Sequence, residues 1–466
     1  MSLTHPSASR SWHTLNLRVA RSLHRSEILA SRDILSALQN ESSPTCFIAF
    51  GHLTEQVTVA GRLSGEKVLC VSPALIRRLR LPVSRALKMS INGDTIRLGP
   101  IVGLMTISPV VDGLPHFARP FLMAGARRGD FFCTFSPSQV KSDGINALWL
   151  EWKEGRYVIR RQHLPFPDVV YERIPSRTLA RDPWNQSCIA QLRRQPHLKM
   201  FNQGYFNKWE IHQLLSQDAT SAPYLPETRL ATFENITLML KKYPCVYLKP
   251  IHGTLGLGIV RIRKVSDGYL LDSSSREAHS SASFRHLRSW YARNPNIRSS
   301  RYLVQQGIPL LQYQGGQVDF RSHLQRDGSG VWQIIAIGAK VSRQGSITTH
   351  IRTGGHFFLS SRILNGQFGD QAAEIDQRLQ EASLQLADAL SRCVHGPLGE
   401  LGLDIGVDTG GNIWMFEANA KPGRSIFKEK EHREAGKRSV QCLLDYARYL
   451  SLPASSTVKS EVSQVQ

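Results

Sequence analysis

The sequence predicts an α+β protein of several domains, and three observations predict it. The chain has 466 residues, of which 41% are hydrophobic and 20% charged, enough apolar surface for cores but too long a chain for one ordinary core. Its first third carries short β-rich runs between Gly, Ser and Asp turns, such as "FIAFG", "QVTVAG", "KVLCVS" and "DTIRLG". Its last third joins a long helical pattern to a strand–turn–strand pattern.

Taken in order, residues 1–44 read as a basic tail, partly helical or disordered, with Arg10, Arg18, Arg21 and Arg25 before the first acid, Glu27. Residues 45–110 read as a small β-rich domain. Residues 111–184 mix strand-like "FFCTFS" and "ALWLEW" with helical segments, as a small α/β domain does. Residues 185–453 form the largest domain, with strand-like "CVYLKP" near its start. In "QAAEIDQRLQEASLQLADAL", Ile375, Leu379, Ala382, Leu386 and Ala389 share one helical face. "LGLDIGVD" and "NIWMFEAN" flank a "TGG" turn and predict a hairpin. Residues 454–466 are Ser-, Val- and Gln-rich and predict disorder. The seven cysteines stand singly, the pattern of buried free thiols in a reducing, cytoplasmic setting. No apolar run reaches the ~20 residues of a membrane helix.

The segment from Lys249 to Gly258, "KPIHGTLGLG", is rich in glycine. Gly253, Gly256 and Gly258 let a backbone fold closely around an anion. It is not a Walker loop, and it runs into "IVRIRKV", whose alternation is that of a strand rather than a Rossmann helix. Strand, loop and strand describe a flap with Lys249 at its entrance; a plain hairpin with an exposed lysine reads equally well from this segment alone.

Near the other end lie Asp404 and, two apart on one strand, Glu417 and Asn419. Two carboxylates and an amide oxygen are hard ligands suited to Mg²⁺ that also touches phosphates. A solvated strand face is the bland alternative, weakened because Glu417 follows the apolar run "IWMF". Cations and a flap at one end with a metal seat at the other make the division of labour that phosphoryl transfer requires.

These residues resemble an ATP-grasp enzyme, and more closely the YheC/YheD family of endospore coat-associated ATP-grasp proteins. The resemblance runs through "PFPDVVYERIPSR", "MFNQGYFNKWEIHQLL", "VYLKPIHGTLGLGIVRI", "YLVQQGIPL", "VDFRSHLQ", "GSITTHIRTGG" and "LGELGLDIGVDTGGNIWMFEANAKPGRS", from about 166 to 425. It implies two α+β subdomains that clamp ATP, preceded by a pre-ATP-grasp α/β domain and a small N-terminal domain. It implies that Lys208 and Lys249 contact ATP phosphates, and that Gly253, Thr254, Gly256 and Gly258 form the flap. Gln305, Gln306 and Ile308 fall where the family reads the adenine edge, with Gln where Glu is common. Asp319 and Arg321 would line the phosphate and acceptor side, and Arg424 would stabilise a phosphorylated intermediate. Asp404, Glu417 and Asn419 would hold one or two Mg²⁺, or Mn²⁺. Two positions depart from the family: Lys340 stands where Arg is usual and cannot reproduce a bidentate fork, and His350 stands where Asn is usual.

The resemblance implies an ATP-dependent ligase that activates a carboxylate as an acyl phosphate for an amine or related nucleophile, in or near the spore coat. The alternative is a coat-associated protein that binds nucleotide with little or no turnover. Nucleic-acid recognition has only the charge in its favour, since no helix-turn-helix, zinc finger or aromatic RNP run accompanies it. That charge, 58 Lys+Arg against 37 Asp+Glu, exceeds what a nucleotide site uses. It predicts an anionic partner such as a spore-envelope surface or an acidic substrate.

Overall fold

The computed structural model describes residues 12–38, 44–65, 67–82, 87–252, 257–274, 279–299, 301–349 and 356–452. The chain divides into two compact units. The first comprises Met1–Gly204, Gly328–Gly330 and Val440–Gln466, and the second Tyr205–Asp327 and Val331–Ser439.

The first unit begins with a closed barrel of seven strands: β1 His13–Val19, β2 Glu27–Ser31, β3 Thr45–Phe50, β4 Leu53–Leu63, β5 Val68–Val71, β6 Leu87–Asn92 and β7 Thr95–Gly99, in the order β1-β5-β2-β4-β3-β7-β6. β6 pairs with β1 and closes the ring. Leu15, Ile28, Ile48, Leu69, Leu87, Ile96 and Leu98 are fully buried, one inward position after another at the period of two that a strand imposes. Helix α1 (Arg32–Ser36) is one short turn, and α2 (Pro73–Leu79) starts where the Ser72 hydroxyl accepts from the Leu75 N–H at 3.1 Å.

This barrel corrects the expected domain limits. Residues 13–36 are barrel strands and α1 rather than a basic tail, and the β-rich domain ends at Gly99. Of the arginines that suggest a tail, Arg18 lies in β1 and Arg21 and Arg25 in the connection to β2, while Leu15, Ile28 and Ala30 on those strands carry the core. Residues 1–11 and 453–466, where a tail and disorder are expected, lie outside the described residues.

Behind the barrel stands a mixed sheet. Its centre is β8 (Ile101–Met105), parallel to β11 (Phe131–Phe135) and to β15 (Val169–Glu172), which pairs in parallel with β16 (Lys199–Phe201). All residues of β8, β11 and β15 are buried, the continuous apolar signature of strands covered on both faces. A small hairpin, β9 (Val110–Val111) and β10 (Leu114–Pro115), precedes helix α3 (Arg119–Arg128). Antiparallel β12 (Val140–Lys141), β13 (Gly144–Lys153) and β14 (Arg156–Leu164) extend the other edge, and α4 (Arg177–Arg181) and α5 (Pro183–Arg193) follow β15. The same core takes in Val440, Leu443, Leu444, Tyr446, Ala447 and Leu450, packed with Phe121, Phe132, Tyr171 and Phe201. The α/β domain therefore spans 101–204 and recruits residues from 440 onward, which the sequence assigns to the large domain of 185–453.

The second unit holds two sheets. The first is all antiparallel: β17 (Thr228–Leu230), β18 (Cys245–Pro250), β19 (Val260–Val265), β20 (Gly268–Ser274), β21 (His279–Phe284) and β22 (Tyr302–Gln306), in the order β17-β22-β18-β19-β20-β21. Helix α6 (Lys208–Gln217) precedes it; α7 (Phe233–Lys242), α8 (Leu287–Ala292) and α9 (Pro295–Arg298) lie within its span. Ile236, Met239, Leu287, Trp290 and Ile297 cover one face through Val246, Leu248, Ile262, Leu271 and Val304. Since Val246 and Leu248 face these helices, Tyr247 and Lys249 face the opposite side.

The second sheet runs β26-β25-β24-β27-β28, from β24 (Gly316–Arg326), β25 (Trp332–Val341), β26 (His356–Leu359), β27 (Glu400–Val407) and β28 (Ile413–Asn419), with β23 (Gln312–Tyr313) on β24. Helices α10 (Ser360–Phe368) and α11 (Ala372–Cys393) lie between β26 and β27 in the chain, and α12 (Arg433–Ser451) follows β28. The predicted amphipathic helix is α11; its Ile375, Leu379, Ala382, Leu386 and Ala389 join Phe320, Leu324, Leu401, Leu403 and Ile405 in one core. With Phe320 and Leu324 facing that core, Asp319, Arg321, His323 and Gln325 make a polar row on the other side of β24.

Candidate functional site

A cleft in the second unit is lined by Lys208, Thr228, Lys249, Gln305, Phe416 and Glu417 among others. Asn207 caps α6 by accepting from the Trp209 N–H at 3.0 Å, which sets Lys208 in the first turn. From there its Nζ reaches Glu417 Oε1 at 2.7 Å. Lys249 is the last residue but one of β18, and its Nζ donates to Gln305 Oε1 and lies 5.0 Å from the Phe416 ring centre. Gln305 Nε2 donates in turn to Thr228 Oγ1 at 3.1 Å, so the amide is held with its oxygen toward the lysine. Burial draws the Lys249 ammonium down to about 8, with Glu417 pulling back and Lys208 adding to the fall. An anion placed beside it would restore its affinity for the proton.

The second sheet contributes a tight ionic cluster. Asp404 on β27 stands opposite Arg321 on β24 and opposite Glu417 on β28. Arg321 grips both Asp404 oxygens, Nε at 2.8 Å and Nη2 at 3.1 Å. Lys340 Nζ lies 2.9 Å from Asp404 Oδ1 and 2.9 Å from Asp319 Oδ1, and Thr349 Oγ1 donates to Asp319 Oδ2. Burial opposes ionisation of Asp404, yet Arg321 and Lys340 outweigh it and hold the carboxyl well below the usual range. For Asp319 burial prevails over Lys340 and pushes the carboxyl up. Four cations thus meet three acids, one of them weakened, and the site stays electropositive.

Two glycines on β27 make room for this geometry. A Cβ at Gly402 would stand 2.8 Å from Arg321 Nη1 and 2.6 Å from Pro422 Cβ. One at Gly406 would stand 2.5 Å from Leu310 Cδ2 and 2.6 Å from Phe416 Cε2. The register also shifts between Asp404 and Ile405, which pair with Glu417 and Met415, leaving Phe416 as an extra residue. This bulge re-aims the strand, so that Met415 and Ala418 enter the core while Glu417 lines the cleft.

Among the described residues no three His, Cys, Asp or Glu side chains gather as a metal-ligand group, so a divalent-metal seat here depends on an amide oxygen. Asp404, Glu417 and Asn419 are hard oxygen donors on neighbouring strands. Asn419 and the second Glu417 oxygen have no side-chain partner among the described residues. Asp404 is less open, since its own cations occupy it.

Of the remaining expected site residues, Gly258, two residues before β19, has φ +73°, in the left-handed region. Gly253, Thr254, Gly256 and His350 lie outside the described residues. Gln306 is not presented to the cleft; its Oε1 accepts from the Glu227 N–H at 3.2 Å. Ile308 is buried.

Arg424 belongs to a neighbouring polar cluster rather than to the ion pairs around Asp404. Its Nη1 meets Glu400 Oε1 at 3.1 Å and its Nη2 donates to Ser439 Oγ at 2.8 Å. The same Glu400 oxygen is 3.0 Å from His323 Nε2 and accepts from Gln325 Nε2 at 2.8 Å. Burial keeps His323 below its ordinary pKa against the pull of Glu400. His323, Gln325 and Glu400 go unpredicted, although "VDFRSHLQ" alternates apolar and polar residues plainly enough to have placed His323 and Gln325 beside Arg321.

A family model described as YheC/D like ATP-grasp matches residues 197–450. The chain is 31% identical over 420 residues to the endospore coat-associated protein YheD of Bacillus subtilis (strain 168), across 86% of this chain and 90% of that protein. It is 22% identical over 331 residues to YheC of the same organism, across 68% of this chain and 88% of that one. Among solved structures, the VanG D-Ala:D-Ser ligase from Enterococcus faecalis is 11% identical, with a TM-score of 0.44 over 76% of this chain and 100% of that chain. With the family model spanning more than half of its length and YheD alike across most of both proteins, this chain belongs to the YheC/D-like ATP-grasp family and has that family's α+β fold.

Proposed function

We propose that the protein is an ATP-dependent ligase that joins a carboxylate to an amine or related nucleophile. The observation that carries this reading is the cleft with Lys208, Lys249 and Glu417 and the ion cluster of Arg321, Lys340, Asp319 and Asp404 on the adjoining strands, with net positive charge left for a polyphosphate. Lys208 and Lys249 bind the phosphates, and Gln305 fixes the direction of the Lys249 ammonium. Glu417 and Asn419, joined by Asp404, would hold Mg²⁺, which would supply neutralisation of phosphate charge. Arg321 and Lys340 orient the acceptor carboxylate. Its oxygen bonds to the γ-phosphorus while the bond to the β-phosphate oxygen breaks and ADP leaves. The nucleophile then forms its bond to the acyl carbon, phosphate departs, and the nucleophile's proton is lost to solvent.

A second reading has its own observation. Both Asp404 oxygens are taken by Arg321 and Lys340, an arrangement suited to nucleotide binding without turnover at the spore coat for which the relatives are named. One experiment tests both. Mg-ATP should raise the melting temperature of the wild-type protein, and Lys249→Ala and Glu417→Ala should each abolish most of that shift. Phosphate release over carboxylate and amine pairs then separates a ligase from a binder. No shift with the wild-type protein, or full shifts with both variants, would remove the proposal.

A further inference from the structure

The positive charge of this chain is concentrated. Between residues 228 and 306 stand thirteen Lys or Arg against four Asp or Glu, and only Lys249 among those cations belongs to the cleft described above. The densest stretch is 285–301, "RHLRSWYARNPNIRSSR", with five arginines and no acid. The packing of this stretch fixes where they point. Leu287 and Trp290 anchor α8, and Ile297 anchors α9, in the core of the first sheet. Arg285, Arg288, Arg293, Arg298 and Arg301 are left exposed. Arg288 stacks over the Phe233 ring at 4.6 Å; the side chains of the other four have no partner among the described residues. Guanidiniums kept unpaired in one short segment repel one another, a cost that an anionic partner relieves.

We infer that this segment, with the adjoining edge of β21, is a docking surface for an acidic polypeptide. β21 runs straight into Arg285 and ends its sheet, so its outer backbone edge is unpaired among the described strands. An extended peptide can add to such an edge while its carboxylates meet the arginine forks. Other polyanions suit the surface less well. Trp290 is buried and Tyr291 half-buried, leaving His286 as the exposed ring of the segment, and α8 has six residues and α9 four, so the segment offers no row of stacking rings and no groove-reading helix to nucleic acid. Among the described residues between Val265 and Val331 no large apolar side chain is exposed, so none of them inserts into a lipid surface. The choice of a carboxylate-bearing chain rests on the ligase reading, for which such a chain carries both the docking groups and the reacting group.

The test uses the full-length protein and a fluorescently labelled oligoglutamate peptide read by anisotropy, with inorganic polyphosphate and oligo-dT as competitors. The peptide should bind at low salt and weaken as salt rises, and the triple variant Arg285→Gln, Arg293→Gln, Arg298→Gln should lose about tenfold or more. A peptide with Pro at every second position keeps much of the charge but cannot pair along a strand, and should bind more weakly than oligoglutamate. The Mg-ATP melting shift of the triple variant should match the wild type. If oligoglutamate fails to bind, if the triple variant binds it equally well, if the Pro-containing peptide is no weaker, or if polyphosphate or oligo-dT binds more tightly, the inference is wrong. Peptide binding without any Mg-ATP shift would instead leave the surface standing and remove the ligase reading.

Discussion

Burial places the titration of Lys249 at about 8 in the free protein, just above neutral pH. A bound polyphosphate raises that value by favouring the ammonium, so binding above pH 8 must take up a proton. Affinity for Mg-ATP is therefore expected to be flat below about pH 8 and to fall above it, by at most tenfold per pH unit. Calorimetry in buffers of different ionisation enthalpy should record the uptake, and an affinity unchanged through this window would show that Lys249 does not face the phosphates. The linkage to folding has the opposite sign. Between about 8 and 10.5 the unfolded chain holds more protons at this residue than the folded one, so stability gains from rising pH there. Residues of this kind were partly legible in the sequence. Glu417 beside Asn419 after an apolar run, and Lys249 before the glycines, are local patterns. The assignment of Arg424 to Glu400 and Ser439 is not local, because those partners lie 24 residues back and 15 residues on.

At the scale of elements, β27 shows how much a strand can owe to what it lacks. Its Gly402 has ordinary backbone angles, so an added methyl group would meet atoms rather than backbone strain. Gly402→Ala is expected to push against Pro422 and the Arg321 guanidinium, to cost about 1–3 kcal/mol of stability, and to weaken nucleotide binding through Arg321. Chemical denaturation followed by the Mg-ATP melting shift measures both, and a variant as stable as the wild type would mean that Pro422 yields freely. Helix α11 and the β27–β28 hairpin were legible because their periods and turn lie within one short window. The bulge at Phe416 was not, since it depends on the register between two strands. Nor is β1 legible in the sequence, because this short run becomes a strand only when β5 and β6 pair with its two edges.

For the whole molecule, the division into units departs most from the linear reading. The first unit is discontinuous: the core around β8 and β15 includes Val440, Leu443, Leu444, Tyr446, Ala447 and Leu450. Burying a large apolar side chain contributes about 1.5–3 kcal/mol, so a chain ending at Ser439 is expected to lose ordered structure over 101–204 while the second unit keeps its own transition. Limited proteolysis with mass mapping should find new cuts within 101–204, and full protection there would show the sheet to be self-sufficient. Sequence periodicity cannot reveal this, because an amphipathic helix such as α12 does not say which apolar face it covers.

That discontinuity has a consequence for how the protein is made. Synthesis is vectorial, and domains fold as they emerge from the ribosome. The barrel of residues 13–99 can close early, from contiguous chain. The sheet behind it must hold Phe121, Phe132, Tyr171 and Phe201 without their final covering until residue 450 has been translated. Throughout translation of the second unit the nascent chain therefore displays an incomplete apolar surface, and a chaperone that shields such surfaces has its longest opportunity there.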